Sequence, residues 1–159
     1  LTSDQKETLK AWMAALLWMT LIAIESTDTF SAEHTGRFLY PILHFLIGLD
    51  LAHFPAWHFY IRKCGHFVGY FTLSFFLFRA WRATLRVPWA PRWALRWAAV
   101  AFFMSALVAS LDEWHQTFIP SRTGAIRDVM LDSSAALTAQ ILIFLFLIWR
   151  PRRMSAAGD

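Results

Sequence analysis

Four stretches of this chain stay apolar for most of a bilayer's thickness, and that limits the fold more than any other feature. They fall at residues 9–24, 64–81, 94–111 and 130–149. Each is slightly short of the roughly 20 apolar residues that a span requires. Interfacial Trp and snorkelling Arg make up the difference, and Trp12, Trp81, Trp89, Trp93, Trp97, Trp114 and Trp149 lie near the expected helix ends. An α-helix satisfies every backbone group within one segment, as lipid demands. The expectation is an all-α integral membrane protein, one domain over residues 1–159, built as a bundle of four transmembrane helices. Only 16% of the residues are charged and 57% are hydrophobic. Soluble domains carry about 25% charged residues.

The charges orient the bundle. Arg79, Arg82, Arg86, Arg92 and Arg96 surround the second connection, and no acid occurs over residues 64–111. Arg150, Arg152 and Arg153 follow the fourth span, and Lys6 and Lys10 precede the first. The positive-inside rule then places both termini in the cytoplasm, with ten of the fifteen basic residues on that side. The net charge of +4 thus has a membrane explanation, and a nucleic-acid partner is not expected. Eight of the eleven acids and all six histidines fall on the outer side. The expected location is a cell membrane crossed several times, with a polar site facing out.

Residues 31–54 link the first two spans and are too broken for a third, with Pro41 and Gly48 inside an apolar run. They read as an interfacial or re-entrant amphipathic helix, with Ser31 as cap and Phe38, Leu39, Ile42, Phe45, Leu46 and Leu49 turned to the membrane. Such a segment suits the roof of a cavity. The amino-terminal stretch is not expected to be a cleavable signal, because no small-residue cleavage site follows the first apolar segment. Cys64 is the only cysteine, so no intramolecular disulfide forms.

Helical spacing gathers the outer polar residues. Lys63, His66 and Tyr70 share one face of the second span, with Ser74 a turn deeper. Gly65 and Gly69 form a small-xxx-small pair, expected to admit a close neighbouring helix together with Ser105, Ala109, Ala135, Ala136 and Ala139. Asp112, Glu113 and Gln116 cluster at the end of the third span, and Asp128 and Asp132 open the fourth. Asp128 sits where a helix dipole favours an anion. Asp132 lies a turn deeper and needs a partner.

These residues carry a resemblance. "RKCGHFVGYFTL" followed by "DEWHQTFIPSRTGAIRDVMLD" is similar to the VanZ-like family of bacterial membrane proteins, over about residues 25–139. The resemblance maps the family's polar positions onto Lys63, His66, Tyr70, Asp112, Glu113, Gln116, Arg122 and Asp128, with Asp132 following. Gly69 stands where many members carry Glu, and Ala135 and Ala139 stand where glycines are usual. The family takes its name from a member linked to resistance to the glycopeptide teicoplanin. The resemblance therefore implies a role in envelope lipid or glycopeptide biology, without implying a reaction.

Ionisable groups at membrane depth are expensive and point to function. The leading expectation is a pocket for an amphiphile, such as a polyprenyl-phosphate-linked envelope precursor, besides ordinary membrane lipids. Arg122, Arg127 and Lys63 would hold phosphate, and Tyr70, Gln116, Asp128 and Asp132 would line the site. If the site is catalytic, Glu113 or Asp112 is the general base and His66 the acid or orienting group. No cofactor and no metal are expected in that reading. The alternatives are a divalent-metal hydrolase with Asp112, Glu113, Asp128 and His66 or His115 as ligands, and a non-catalytic module whose polar network fixes helix packing.

Overall fold

The protein is described by a computed structural model covering residues 1–85 and 94–149. Arg86, Trp89, Arg92, Trp93, Arg150, Arg152 and Arg153, named above as interfacial or orienting residues, lie outside the described residues. Among the described residues the fold is all-α. The helices are α1 (Ser3–Glu25), α2 (Ala32–Ile47), α3 (Phe54–Thr84), α4 (Leu95–Gln116) and α5 (Ile126–Trp149), with a 3-10 turn at Asp28–Phe30.

Local chemistry sets the ends. α1 opens with a capping box. The Gln5 N–H donates to the Thr2 hydroxyl at 3.2 Å, and the Thr2 N–H donates to the Gln5 side chain at 2.9 Å. Ser31 caps α2, as its position suggests. The connecting segment departs from the expected 31–54, because α2 stops at Ile47 and α3 already begins at Phe54 rather than near residue 64. Gly48 takes a left-handed φ of 66°, which ends α2 at little steric cost. Asp50 then accepts the His53 N–H at 2.8 Å, turning the chain into α3 with Pro55 in its first turn.

Three helices among the described residues are long and apolar enough to cross a membrane: α1, α4, and α5 through Leu147. The stretch at residues 64–81, expected to be the second span, lies in α3, which is not among them. Arg62, Lys63, His66, Arg79 and Arg82 dilute its apolar character. Yet α3 is the centre of the fold, packing against α1, α4 and α5, while α4 and α5 also pack on each other. α2 rests on the 3-10 turn and on the amino-terminal part of α3, where Tyr40 meets Phe54 edge-on at 5.2 Å.

Small side chains set the helix spacing. Ser105 and Ala109 of α4 and Ala135, Ala136 and Ala139 of α5 are fully buried. Without a hydrophobic drive between helices in lipid, such faces let backbones approach and gain van der Waals contact. Gly65 and Gly69 behave otherwise. A Cβ added at either would meet no atom within 4 Å, so their small size is not what admits α1, although Trp18 of α1 does donate to the Gly69 carbonyl at 2.8 Å. The interfacial tryptophans also divide. Trp12 donates to Thr84 at 2.8 Å, but Trp97 is buried in the core against Phe78.

One buried polar link ties α3 to α5. Ser74 donates to the Ala136 carbonyl at 3.0 Å, and the Gln140 amide donates to the Ser74 hydroxyl at 2.7 Å. Ser74→Ala is expected to lower stability in detergent by about 1 kcal/mol, the scale of interhelical hydrogen bonds in membranes. Thermal unfolding of the purified variant measures this. No change would mean that the glutamine finds an equivalent acceptor.

Candidate functional site

The polar residues of α3, α4 and α5 meet at one end of the bundle, closed by residues 117–125 and by the end of α1. Lys63 of α3 donates to Asp128 of α5 in a close ion pair, and both side chains are largely buried. One turn along, His66 Nδ1 lies 3.5 Å from Asp132 Oδ2, and Asp132 is fully buried. Tyr70 donates its hydroxyl to Asp112 Oδ2 at 3.2 Å, and the Gln116 amide donates to the same oxygen at 3.2 Å. The spacings of three and four through Lys63, His66 and Tyr70, and of four between Asp128 and Asp132, thus produce successive rungs between helices.

Glu113 is buried and points the other way along the loop, accepting the Ala125 N–H at 2.8 Å through Oε2. This caps the approach to α5. Gly124 makes it possible, because a Cβ there would run into the carbonyl oxygen of Glu113. Arg122 is buried as well. Its Nη2 donates to the Thr27 carbonyl at 2.7 Å and to the Glu25 carbonyl, clamping the loop onto the end of α1. Ser121 adds a hydrogen bond to Asp28. Burial pushes the Arg122 guanidinium below its usual pKa, and the neighbouring Arg62 charge acts in the same direction.

Two cavities open on this network. One of about 390 Å³ has a mixed wall that includes Arg62, Lys63, His66, Gln116, Arg122 and Asp128. The other, of about 440 Å³, is mainly apolar and runs beneath α2, with Phe30, Phe38, Leu39, Ile42 and Ile61 in its wall. His58, Arg62, His66 and Arg122 line both. A separate water-sized space of about 20 Å³ lies beside Gly65, Gly69, Tyr70 and Asp112.

Most of the expected residues therefore assemble, with two changes. Arg127 is exposed and lines neither cavity, because it points off the outer side of α5. Arg62 takes the place expected of it, held by a hydrogen bond to the Phe30 carbonyl at 2.9 Å. His58 also joins, bonded through Nε2 to Thr35 of α2 at 3.0 Å. The spacing of four through His58, Arg62 and His66 was the available signal, since it puts all three on one face of a longer α3. The second change concerns metal ligands. His66, Glu113 and Asp132 each bring one ligand atom to within 4.8 Å of the others. Asp128 and Asp112 stand outside that trio, engaged by Lys63 and by Tyr70 with Gln116. His115 is exposed and also outside it.

Neither a curated protein nor a solved structure matches the chain. A family model described as VanZ/LLP1 matches residues 11–148, which include every residue of this network from Glu25 to Asp132. The chain belongs to the VanZ/LLP1 family.

Proposed function

We propose that the chain is a four-span protein of the bacterial inner membrane, with cytoplasmic termini, that binds an amphiphile with an anionic head group at its outer side. The observation that carries this reading is a pair of neighbouring cavities, one with Arg62, Lys63 and Arg122 in its wall and one mainly apolar, which share His58, Arg62, His66 and Arg122. Two guanidiniums in a partly dehydrated wall favour a phosphate or carboxylate between them, and Arg binds such groups bidentately. The apolar chamber under α2 suits the hydrocarbon chain, with α2 as an interfacial roof. A polyprenyl-phosphate-linked precursor has both parts, and withdrawing or screening it would alter glycopeptide susceptibility, teicoplanin included. The remaining span in this reading is α3, the second along the chain, where residues such as Leu73 and Leu77 are buried between its three apolar neighbours.

Native mass spectrometry of the detergent-purified chain tests the reading, with polyprenyl phosphate and phosphatidylcholine added in parallel. The phosphate lipid should be retained preferentially. Arg62→Gln should weaken its binding by about tenfold while the melting temperature stays close to that of the parent chain. Equal retention of both lipids, or full binding by Arg62→Gln, would overturn the proposal.

A second reading, a structural network without a ligand, draws on the paired state of Lys63 with Asp128 and of Tyr70 and Gln116 with Asp112. It predicts that variants of these residues lose stability and lipid retention together. The head-group reading predicts that Arg62→Gln separates the two.

A further inference from the structure

We infer that His66, Glu113 and Asp132 form a binding site for one divalent transition-metal cation. The inference stands on the geometry of these three residues and does not depend on the amphiphile reading. The ligand atoms come from three different helices, α3, α4 and α5, and all lie within 4.8 Å of one another. Ligands about 2.0–2.2 Å from one tetrahedral ion sit about 3.4 Å apart, so modest side-chain rotation closes the set.

A second observation points to a cation. Glu113 Oε1 and Asp132 Oδ1 are buried and have no hydrogen-bond partner, in residues only 4% and 0% exposed. Buried carboxylate oxygens ordinarily find a donor, and two carboxylates this close repel unless a positive charge lies between them. No Lys or Arg side chain donates to these two oxygens: Lys63 is paired with Asp128, Arg122 donates to the Glu25 and Thr27 carbonyls, and Arg62 donates to the Phe30 carbonyl. His66 is the side chain set between the two acids, at 3.5 Å from Asp132, and a divalent ion bound by all three would also satisfy the free oxygens of Glu113 and Asp132.

The donor set selects the ion class. One imidazole nitrogen with two carboxylate oxygens suits zinc, manganese or ferrous iron better than magnesium or calcium, which prefer oxygen alone. Three protein ligands leave a coordination position for water or a ligand oxygen. His66 also lines both large cavities, so an ion at this point would be reached from them. The Ala125 N–H on Glu113 Oε2 is the kind of outer hydrogen bond that orients a ligating carboxylate.

The test uses the full chain in detergent, stripped with a chelator, then titrated separately with zinc, manganese and magnesium ions by calorimetry. One equivalent of zinc or manganese should bind, with magnesium at least about tenfold weaker. Cobalt substitution should give a visible absorption band that His66→Gln shifts or removes. Asp132→Asn and Glu113→Gln should each weaken binding by at least about tenfold, a loss that removing a hydrogen bond to a ligating group already causes. His115→Gln, at an exposed histidine outside the trio, should bind as the parent chain does and thereby exclude His115 as a ligand. Stoichiometric binding by the parent chain is measured first, so the site is testable even if Asp132→Asn fails to fold. Absence of binding by all three ions, or unchanged affinity and cobalt spectrum in His66→Gln, would overturn the assignment.

Discussion

Gly124→Ala is expected to destabilise the protein by about 3 kcal/mol, the upper end of what overpacking costs. The new Cβ would meet the carbonyl oxygen of Glu113 and lie 2.7 Å from Thr117 Cγ2. A flexible side chain could swing aside, but the Glu113 carbonyl belongs to the last turns of α4 and cannot. The loop must therefore lift away from α4. That movement breaks the Ala125 N–H bond to Glu113 and leaves a buried carboxylate with neither oxygen satisfied. Thermal unfolding in detergent should show a melting temperature lower by roughly 10 °C, taking the scaling of domains of this size. A loss below about 1 kcal/mol would mean that the loop stands further from α4 than described.

Arg122→Ala should have a comparable effect through a different cause. It removes two charge-assisted hydrogen bonds, to the Glu25 and Thr27 carbonyls at the end of α1. Each such bond contributes about 1.5–3 kcal/mol, and a cation at a helix carboxyl end adds a favourable dipole interaction. The expected loss is about 3 kcal/mol in total, since leaving the carbonyls to water or lipid head groups recovers part of the energy. Arg122→Lys should recover only a minority of it, because an ammonium lacks the planar fork. Comparing the two unfolding curves checks this. Full rescue by lysine would reduce the role of Arg122 to a point charge. Full stability of the alanine variant would remove the clamp altogether.

Much of this architecture is legible along the chain because its causes are local. Apolar runs must become helices where backbone groups lack water, and Ser31 marks the start of α2 by capping chemistry, whereas Gly48 reads as a break inside a segment running to residue 54 and is in fact the stop of α2. The small residues at 105, 109, 135, 136 and 139 mark packing faces for the same reason, since their size alone permits close approach. The sequence likewise names most of the polar end: Lys63, His66 and Tyr70 share a face by spacing, and the acids of α4 and α5 cluster at their helix ends.

Pairing across helices is a different matter. Spacing specifies neighbours on one helix, whereas the rotation and depth of α3 against α4 and α5 arise from the sum of all core contacts. Only the tertiary structure decides that His66 meets Asp132, that Asp112 is bound by Tyr70 and Gln116, and that Glu113 reaches back to Ala125. It also decides between arginines that look alike in sequence. Arg62 extends into the cavities because α3 begins ten residues earlier than its apolar run, and Arg127 faces outward because α5 turns Asp128 inward to Lys63. Gly65 and Gly69 make the same point from the opposite side. Their size was evident, but whether the space beside them holds a helix or a cavity depends on where the neighbouring helices lie.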